Sequence, residues 1–178
     1  CFIYNIASTS DEKLFFTSGK EKTLKKWSTD TWNVMRSINI VSDGRSLFVN
    51  EDSKSVLVGM ENGTISEFSI DDLSITKAFS LFNARIRRII RLSSGDIMTC
   101  SDNGFIKFPF SNKKQNKVSE NSIKSINQTS DKNIVCCCDD GLKIINTSED
   151  PSTLRIDSIS SSLESIRKSS SPKEPQLI

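Results

Sequence analysis

The chain repeats one local pattern four times, at intervals of about 40 residues. The stretch "TSGKEKTLKKW" begins at Thr17, and "VGMENGTISEF" begins at Val58. These two stretches align without a gap, so that Trp27 falls on Phe68. "TCSDNGFIKFP" follows at Thr99 with the same spacing, and "CCCDDGLKII" at Cys136 is a fourth copy, one residue shorter. A repeat of this length indicates an array of similar structural units, which constrains the fold more than any single motif does.

Each copy carries the signals of paired strands. An apolar run such as "VLVGM" precedes a polar tip, and an alternating run such as "TISEF" follows the tip. The tips at Asn62-Gly63, Asn103-Gly104 and Asp140-Gly141 consist of residues that tolerate the positive φ of a tight hairpin turn. One more candidate strand lies upstream of each hairpin, and others lie downstream. Four antiparallel strands per repeat predict an all-β fold built from the blades of a β-propeller.

The repeats resemble those of WD-repeat proteins, whose blade carries Ser-Gly-Ser-x-Asp-Gly-Thr-Ile-Lys, then an apolar residue and Trp. "NEDSKSVLVGMENGTISEF" matches that blade with Phe68 in the Trp position, and "TSDEKLFFTSGKEKTLKKW" matches with Trp27 itself. The chain departs from the family because it contains no His, so the usual His–Ser–Trp–Asp hydrogen-bond network cannot form. Pro109 and Ile145 replace Trp in the last two copies. We therefore expect blades held by apolar packing, with a strand that bulges or ends at Pro109.

The repeats divide the chain into four predicted blades, residues 1–40, 41–82, 83–121 and 122–161. Ser162–Ile178 is predicted to begin a fifth blade, because "SPKEPQLI" stands where "TSDEKLFF" stands in the first repeat. The alternative for this segment is a disordered Ser-rich tail. The resemblance implies six to eight blades in a complete ring. We therefore expect a partial propeller, part of a larger ring of seven blades, with a closed ring of four blades as the alternative.

Composition excludes several classes of function. The net charge of +2 gives no overall field that would attract nucleic acid, and a membrane would have to be bound through anionic headgroups. Without His, the chain can form no Ser-His or Cys-His nucleophile and no His-ligated metal site. The seven glycines are scattered and form no phosphate-binding loop. We predict a protein that is not an enzyme and uses no cofactor and no metal.

The cysteines indicate a reducing compartment. There are five, and Cys136, Cys137 and Cys138 are adjacent, which is a poor framework for disulfides. We expect reduced thiols in a cytoplasmic protein, with the nucleus as the alternative. In a strand, Cys137 would face away from its two neighbours, and Cys100 occupies the repeat position of Cys137. Because the C-x-x-C spacing is absent, we predict small buried hydrophobic residues, the alternative being a functional thiol or metal site.

The segment "ARIRRIIRL" holds four arginines at the predicted inner strand of the third blade. Period-2 alternation predicts Arg85, Arg87 and Arg91 on one face of that strand and Arg88 on the other. Guanidinium groups placed in this way could bind an acidic peptide, a phosphorylated motif or a phosphoinositide. The alternative is that these arginines form ion pairs with the many Asp and Glu residues of the blades.

The resemblance to WD-repeat proteins implies a non-catalytic scaffold that mediates protein–protein interactions within a larger complex. By that resemblance, the contact residues would be Arg85 and Arg87 together with the hairpin-tip residues Glu61, Asn62, Asp102, Asn103, Asp139 and Asp140. Two alternatives stay open. One is a propeller that binds an anionic ligand (phosphoinositide, phosphopeptide or nucleic acid) through Arg85–Arg91. The other is a regulatory propeller within a larger enzyme or transport complex. The sequence leaves the oligomeric state open.

Overall fold

The computed structural model describes residues 2–111, 115–146 and 155–158, and within 155–158 it describes the side chain of Ile156 alone. These residues form sixteen strands in four antiparallel sheets, and they contain no helix. In each sheet the four strands are hydrogen-bonded in chain order, as in a propeller blade. The all-β propeller fold that the repeats predict is therefore the fold of the chain.

The strand bounds show how the repeats become blades. Blade 1 consists of β1 (Ile3–Ser8), β2 (Leu14–Gly19), β3 (Thr23–Ser28) and β4 (Val34–Asn39). Blade 2 consists of β5 (Gly44–Asn50), β6 (Ser55–Met60), β7 (Thr64–Ser69) and β8 (Ile75–Ser80). Blade 3 consists of β9 (Ile86–Arg91), β10 (Ile97–Ser101), β11 (Phe105–Lys107) and β12 (Asn116–Lys117). Blade 4 consists of β13 (Ile123–Gln128), β14 (Ile134–Cys138), β15 (Gly141–Asn146) and β16 (Arg155–Ser158).

The core lies between successive blades. One apolar cluster joins blade 1 to blade 2 and contains Phe16 and Leu24 together with Val56 and Phe68. A second cluster joins blades 2 and 3, and a third joins blades 3 and 4. Burial of apolar area between sheets is therefore the main force that holds the blades side by side.

The residue in the family's Trp position differs between blades, and so does the interaction that holds it in place. Trp27 Nε1 donates a 2.9 Å hydrogen bond to Thr17 Oγ1, whereas Phe68 and Ile145 are buried in apolar clusters. β11 ends at Lys107, two residues before Pro109, so the strand stops there as predicted. Apolar packing has replaced the polar network in these later copies.

The inner strands pack in the order β1, β5, β9 and β13. The two end members of this series, β1 and β13, do not pack against each other in the same way. The four blades therefore form an arc, as expected for a partial propeller, and not the closed ring of four that was the alternative. Ser162–Ile178, predicted to begin a fifth blade or to form a tail, lies outside the described residues.

Candidate interaction face

Each inner strand carries a β-bulge at the same place in the repeat. The pairing with the second strand of the blade shifts its register between Ile3 and Asn5 in blade 1, and it shifts at the equivalent positions of the other three blades. At each shift one residue of the inner strand has no register partner on the second strand. These residues are Tyr4, Arg45, Arg87 and Lys124. A bulge re-aims the side chain of its extra residue, so these four side chains leave the regular alternation of the strand.

In three blades the bulge residue is a cation that pairs with an acid at the tip of its own hairpin. Arg45 pairs with Glu61 in blade 2. In blade 3, Arg87 Nε lies 2.5 Å from Asp102 Oδ1, and in blade 4 Lys124 Nζ lies 3.0 Å from Asp139 Oδ2. Blade 1 has Tyr4 at the bulge and Lys20 at the tip, so it lacks this pair. The tip side of the arc, meaning the edge where the hairpin tips lie, therefore carries paired charges at regular intervals.

A backbone hydrogen bond fixes each tip beside its bulge. The amide of Glu61 donates to the carbonyl of Asp43 at 2.9 Å, and the amide of Asp102 donates to that of Arg85 at 3.0 Å. Asp139 and Lys20 make the equivalent bonds in blades 4 and 1. Because the acid's own backbone is held against the inner strand, its carboxylate can reach the bulge residue without extra ordering of the loop.

Arg85 joins the pairs of neighbouring blades into one network. Its Nη2 donates a 2.7 Å hydrogen bond to Glu61 Oε1 of blade 2, and its Nε lies 3.4 Å from Asp102 Oδ2 of blade 3. Ser122, in the connection that leads to blade 4, donates from Oγ to Asp102 Oδ1 at 2.5 Å. At the other end, the guanidinium of Arg45 lies 3.8 Å from the centroid of the Tyr4 ring. We call this set, Tyr4, Arg45, Glu61, Arg85, Arg87, Asp102 and Ser122, the tip-side network.

The network keeps its carboxylates charged. Burial would raise the pKa of the Glu61 carboxyl, but hydrogen bonds from Arg85 and Arg45 lower that pKa below its usual value. Burial would also raise the pKa of the Asp102 carboxyl, but hydrogen bonds from Arg87 and Ser122 lower that pKa below its usual value. The hydrogen bond to Glu61 raises the pKa of Arg85. Both acids are therefore ionised at neutral pH, and the network is a set of full charges.

The second residue of each tip forms hydrogen bonds beside the network, within the turn in blades 2 and 3 and to a neighbouring connection in blade 4. Asn62 Oδ1 accepts a 3.2 Å hydrogen bond from the amide of Thr64, and Asn103 Oδ1 accepts one from Ser101 Oγ at 2.5 Å. Asp140 accepts a 2.8 Å hydrogen bond from Ser119 Oγ of the preceding blade and lies 3.2 Å from Lys143 Nζ. The three residues lie on the tip side as expected, next to the network.

The bulge overturns the alternation predicted for the arginine segment. Arg87 occupies the bulge, and the exposed Arg88 pairs in register with Cys100 of β10. Arg91 lies at the opposite end of β9, where it pairs with Asp52 in the β5–β6 turn. Arg85, Arg87 and Arg91 therefore do not share one face, because an extra residue breaks the period of two.

Four participants were missed from the sequence, namely Tyr4, Arg45, Ser122 and Lys124. A signal for three of them was available. Aligning the repeats brings Tyr4, Arg45, Arg87 and Lys124 into one column, because each follows the previous one after about 40 residues. The alignment does not show that this column is a bulge.

The cysteines behave largely as predicted. Cys100, Cys136 and Cys138 are buried, and Cys137 is exposed. Burial raises the pKa of Cys100 and Cys138, and it raises that of Cys136 to about 12. Within the described ranges, no three His, Cys, Asp or Glu residues converge in a way that would hold a metal ion. Across the same ranges, no helix is long and apolar enough to cross a membrane.

The chain resembles solved WD-repeat propellers. It is similar to the WD40 β-propeller domain of Doa1, with a TM-score of 0.72 and 21% identity, covering 83% of this chain and 51% of that one. It is also similar to U3-55K, with a TM-score of 0.72 and 13% identity, covering 86% of this chain and 51% of that one. The chain thus spans about half the length of each. No protein-family model and no curated protein sequence matches it. These likenesses show that the fold is the WD-repeat β-propeller.

Proposed function

We propose that this chain is a non-catalytic scaffold that binds protein partners with the tip side of its arc, within a larger complex. The observation that carries this proposal is the tip-side network, which runs from Tyr4 in blade 1 to Ser122 at the start of blade 4. WD-repeat folds in general bind other proteins, and repeat architectures present extended binding surfaces.

The chemistry of this surface fits a protein partner. Arg and Tyr are enriched at protein interfaces, and the exposed Phe2 lies close to Tyr4 along the chain. Acidic and basic groups alternate along the network, so a partner with complementary charges would be held in one orientation. The side chains of Arg85 and Arg87 are 26% and 28% exposed, so a ligand on the tip side could reach part of each side chain.

The anionic-ligand alternative has less support. Arg85 and Arg87 contact Asp102, and Arg91 pairs with Asp52, so most of the positive charge in this segment is already balanced. A polyanion would have to displace these carboxylates. Its binding would also weaken steeply with added salt, which is a property that can be measured.

Site-specific photo-crosslinking tests the proposal. A photoreactive amino acid is placed at Asn62, on the tip side, and in a control variant at Ser94, in the β9–β10 turn at the opposite end of the blade; both residues are exposed. We expect protein adducts from position 62 in a cell extract and few from position 94. The scaffold proposal fails if position 62 gives no protein adducts, or if both positions give the same ones. Salt-sensitive binding to phosphoinositide vesicles without protein adducts would favour the anionic-ligand alternative. Cytoplasmic localisation, with the nucleus as the alternative, stays a prediction.

A further inference from the structure

A lysine of blade 1 fills the space between blades 1 and 2 on the side opposite the tips. This residue, Lys26 in β3, is buried, and its Nζ donates to the carbonyls of Ile70 and Asp71, at 2.8 and 3.1 Å. Both carbonyls belong to the turn between β7 and β8 of blade 2. At this interface a cation of one blade is therefore held by acceptors of the next blade.

Blade 2 has an acid where blade 1 has this lysine. Aligning the repeats places Glu67 in the position of Lys26, and it places Ser111 in the position of Ile70. Glu67 and Ser111 both line a cavity of about 310 Å³ between blades 2 and 3. A cavity of this size can hold a small ligand. The bridging cation of the first interface is thus replaced at the second by a carboxylate and an open space.

The Glu67 carboxylate is buried and charged, and its oxygen Oε2 is loosely paired. Oε1 accepts hydrogen bonds from Ser55 Oγ at 2.7 Å and from Ser53 Oγ at 3.3 Å. Burial would raise the pKa of this carboxyl, but these hydrogen bonds and the charge of Lys77 lower that pKa below its usual value. Within the described part of the chain, Lys77 is the one cation that pairs with Glu67, and its Nζ lies 3.4 Å from Oε2. Charge-assisted hydrogen bonds are usually shorter, about 2.7–2.9 Å, so Oε2 can accept a closer donor.

An aromatic ring forms another wall of the same cavity. Phe110 packs edge-on against Phe79, with ring centroids 5.7 Å apart, and Lys77 Nζ lies 5.4 Å from the centroid of Phe110. A cation within about 6 Å of a ring centroid is attracted by the ring. Among the described residues of the lining, the remaining charged one is Asp96, which is also an acid. Glu67 and Phe110 therefore mark a place in the cavity that favours positive charge.

We propose that this cavity binds a small organic cation that carries a guanidinium group, and that the ligand displaces the Lys77 ammonium toward solvent. A planar guanidinium can donate to Glu67 Oε2 and stack on the Phe110 ring at the same time, whereas an ammonium is a compact point charge. The side chain of Lys77 is 56% exposed, so little stability is lost when it moves away. The site lies opposite the tips, so it does not depend on the function proposed for the tip side.

Titration of the intact, ¹⁵N-labelled chain with n-butylguanidinium, followed by NMR, tests the proposal. We expect the amide signals of Gly95, Ile97 and Ser111 to shift, with a dissociation constant of about 1 mM for so small a ligand. The neutral analogue n-butylurea has the same shape and should leave these signals in place, and n-butylammonium should bind several-fold more weakly. The proposal is overturned if n-butylguanidinium shifts none of these signals, or if either analogue binds as tightly.

Variants assign the binding to the cavity. Glu67→Gln should weaken binding about tenfold or more, because it removes the charge that pairs with the ligand. Lys77→Gln should tighten binding several-fold, because it removes the competing cation. The matched control is Lys20→Gln, since Lys20 is also exposed and its Nζ lies 5.7 Å from the centroid of the Phe2 ring; its affinity should equal that of the wild type.

Circular dichroism establishes that each variant is folded. Unchanged binding by folded Glu67→Gln overturns the proposal. If Glu67→Gln does not fold, Lys77→Gln decides the matter, because affinity that stays the same or falls in that variant would show that the ligand does not take the place of the ammonium.

Discussion

Arg85 and Glu61 belong to different blades, yet Arg85 Nη2 donates a 2.7 Å hydrogen bond to Glu61 Oε1. Glu61 lies at the tip of the blade 2 hairpin, and Arg85 immediately precedes the inner strand of blade 3. The same guanidinium reaches Asp102 at the next tip. The loops on the tip side are thereby held by charge as well as by the apolar clusters beneath them. The proposed binding surface would need such support to keep its shape.

A buried lysine makes a similar link between blades 1 and 2. Lys26 Nζ donates to the carbonyls of Ile70 and Asp71, at 2.8 and 3.1 Å. Lys26→Met should lower the free energy of unfolding by about 1–2 kcal/mol, because it leaves buried carbonyl groups without a donor. Urea denaturation measures this change. The control is Lys25→Met in the same strand, where the ammonium pairs with Glu21 near the surface, and its effect should be smaller. Equal effects of the two variants would show that the link between blades contributes no more than a surface ion pair does.

The lowered pKa of Asp102 predicts how stability depends on pH. Its folded pKa lies below the ordinary value of 3.8, so the folded state binds fewer protons than the unfolded chain as pH falls through this range. The stabilisation is therefore fully present above about pH 5 and is lost as pH falls toward the folded pKa. The difference in unfolding free energy between wild type and Asp102→Asn should be largest near neutral pH and should shrink in acid. A difference that stays constant down to about pH 3 would contradict this assignment.

Gly63 is required by space as well as by conformation. Its φ is +79°, and a Cβ there would lie 2.0 Å from the carbonyl oxygen of Phe82, in the connection to the next blade. Gly63→Ala should cost more than about 2 kcal/mol in thermal or urea unfolding. Gly95→Ala is the matched control, because Gly95 has φ +88° and its nearest neighbour would be 3.9 Å from the new Cβ. Gly95→Ala should lower the free energy of unfolding by only about 1 kcal/mol, which is the cost of placing a residue with a Cβ at positive φ. Equal costs would show that the close approach of Phe82 is not a constraint.

The adjacent cysteines should differ sharply in reactivity. Cys137 is exposed, whereas Cys136 is buried with its pKa raised to about 12, so Cys136 has little thiolate near neutral pH. Brief treatment of the native protein with a maleimide should modify Cys137 and leave Cys136 and Cys138 unmodified, as measured by peptide mass spectrometry. Denaturation should make all three reactive. Modification of Cys136 in the native protein as fast as Cys137 would contradict the predicted strand orientation.

The sequence predicts the blades well because the repeat is a local signal. The regular spacing of the repeats and the Asn62-Gly63 tip are enough to place hairpins, and a strand that stops before Pro109 follows from the missing amide donor. The prediction that Arg85, Arg87 and Arg91 share one face of β9 was wrong, because period-2 alternation assumes strand pairing without a bulge. The bulge at Arg87 depends on how the inner strands meet, which no local pattern records. Bonds between blades, such as that of Arg85, likewise depend on packing.

A double-mutant cycle on Arg85 and Glu61 tests the central claim most directly, which is that charge pairs join the blades into one rigid tip-side surface. The free energy of unfolding is measured for wild type, Arg85→Met, Glu61→Gln and the double variant. Because both side chains are partly exposed, we expect a coupling energy of about 0.5–1.5 kcal/mol, with the double variant less destabilised than the sum of the single changes. Additive effects, within about 0.3 kcal/mol, would show that the two blades are not coupled through this pair and would contradict the claim.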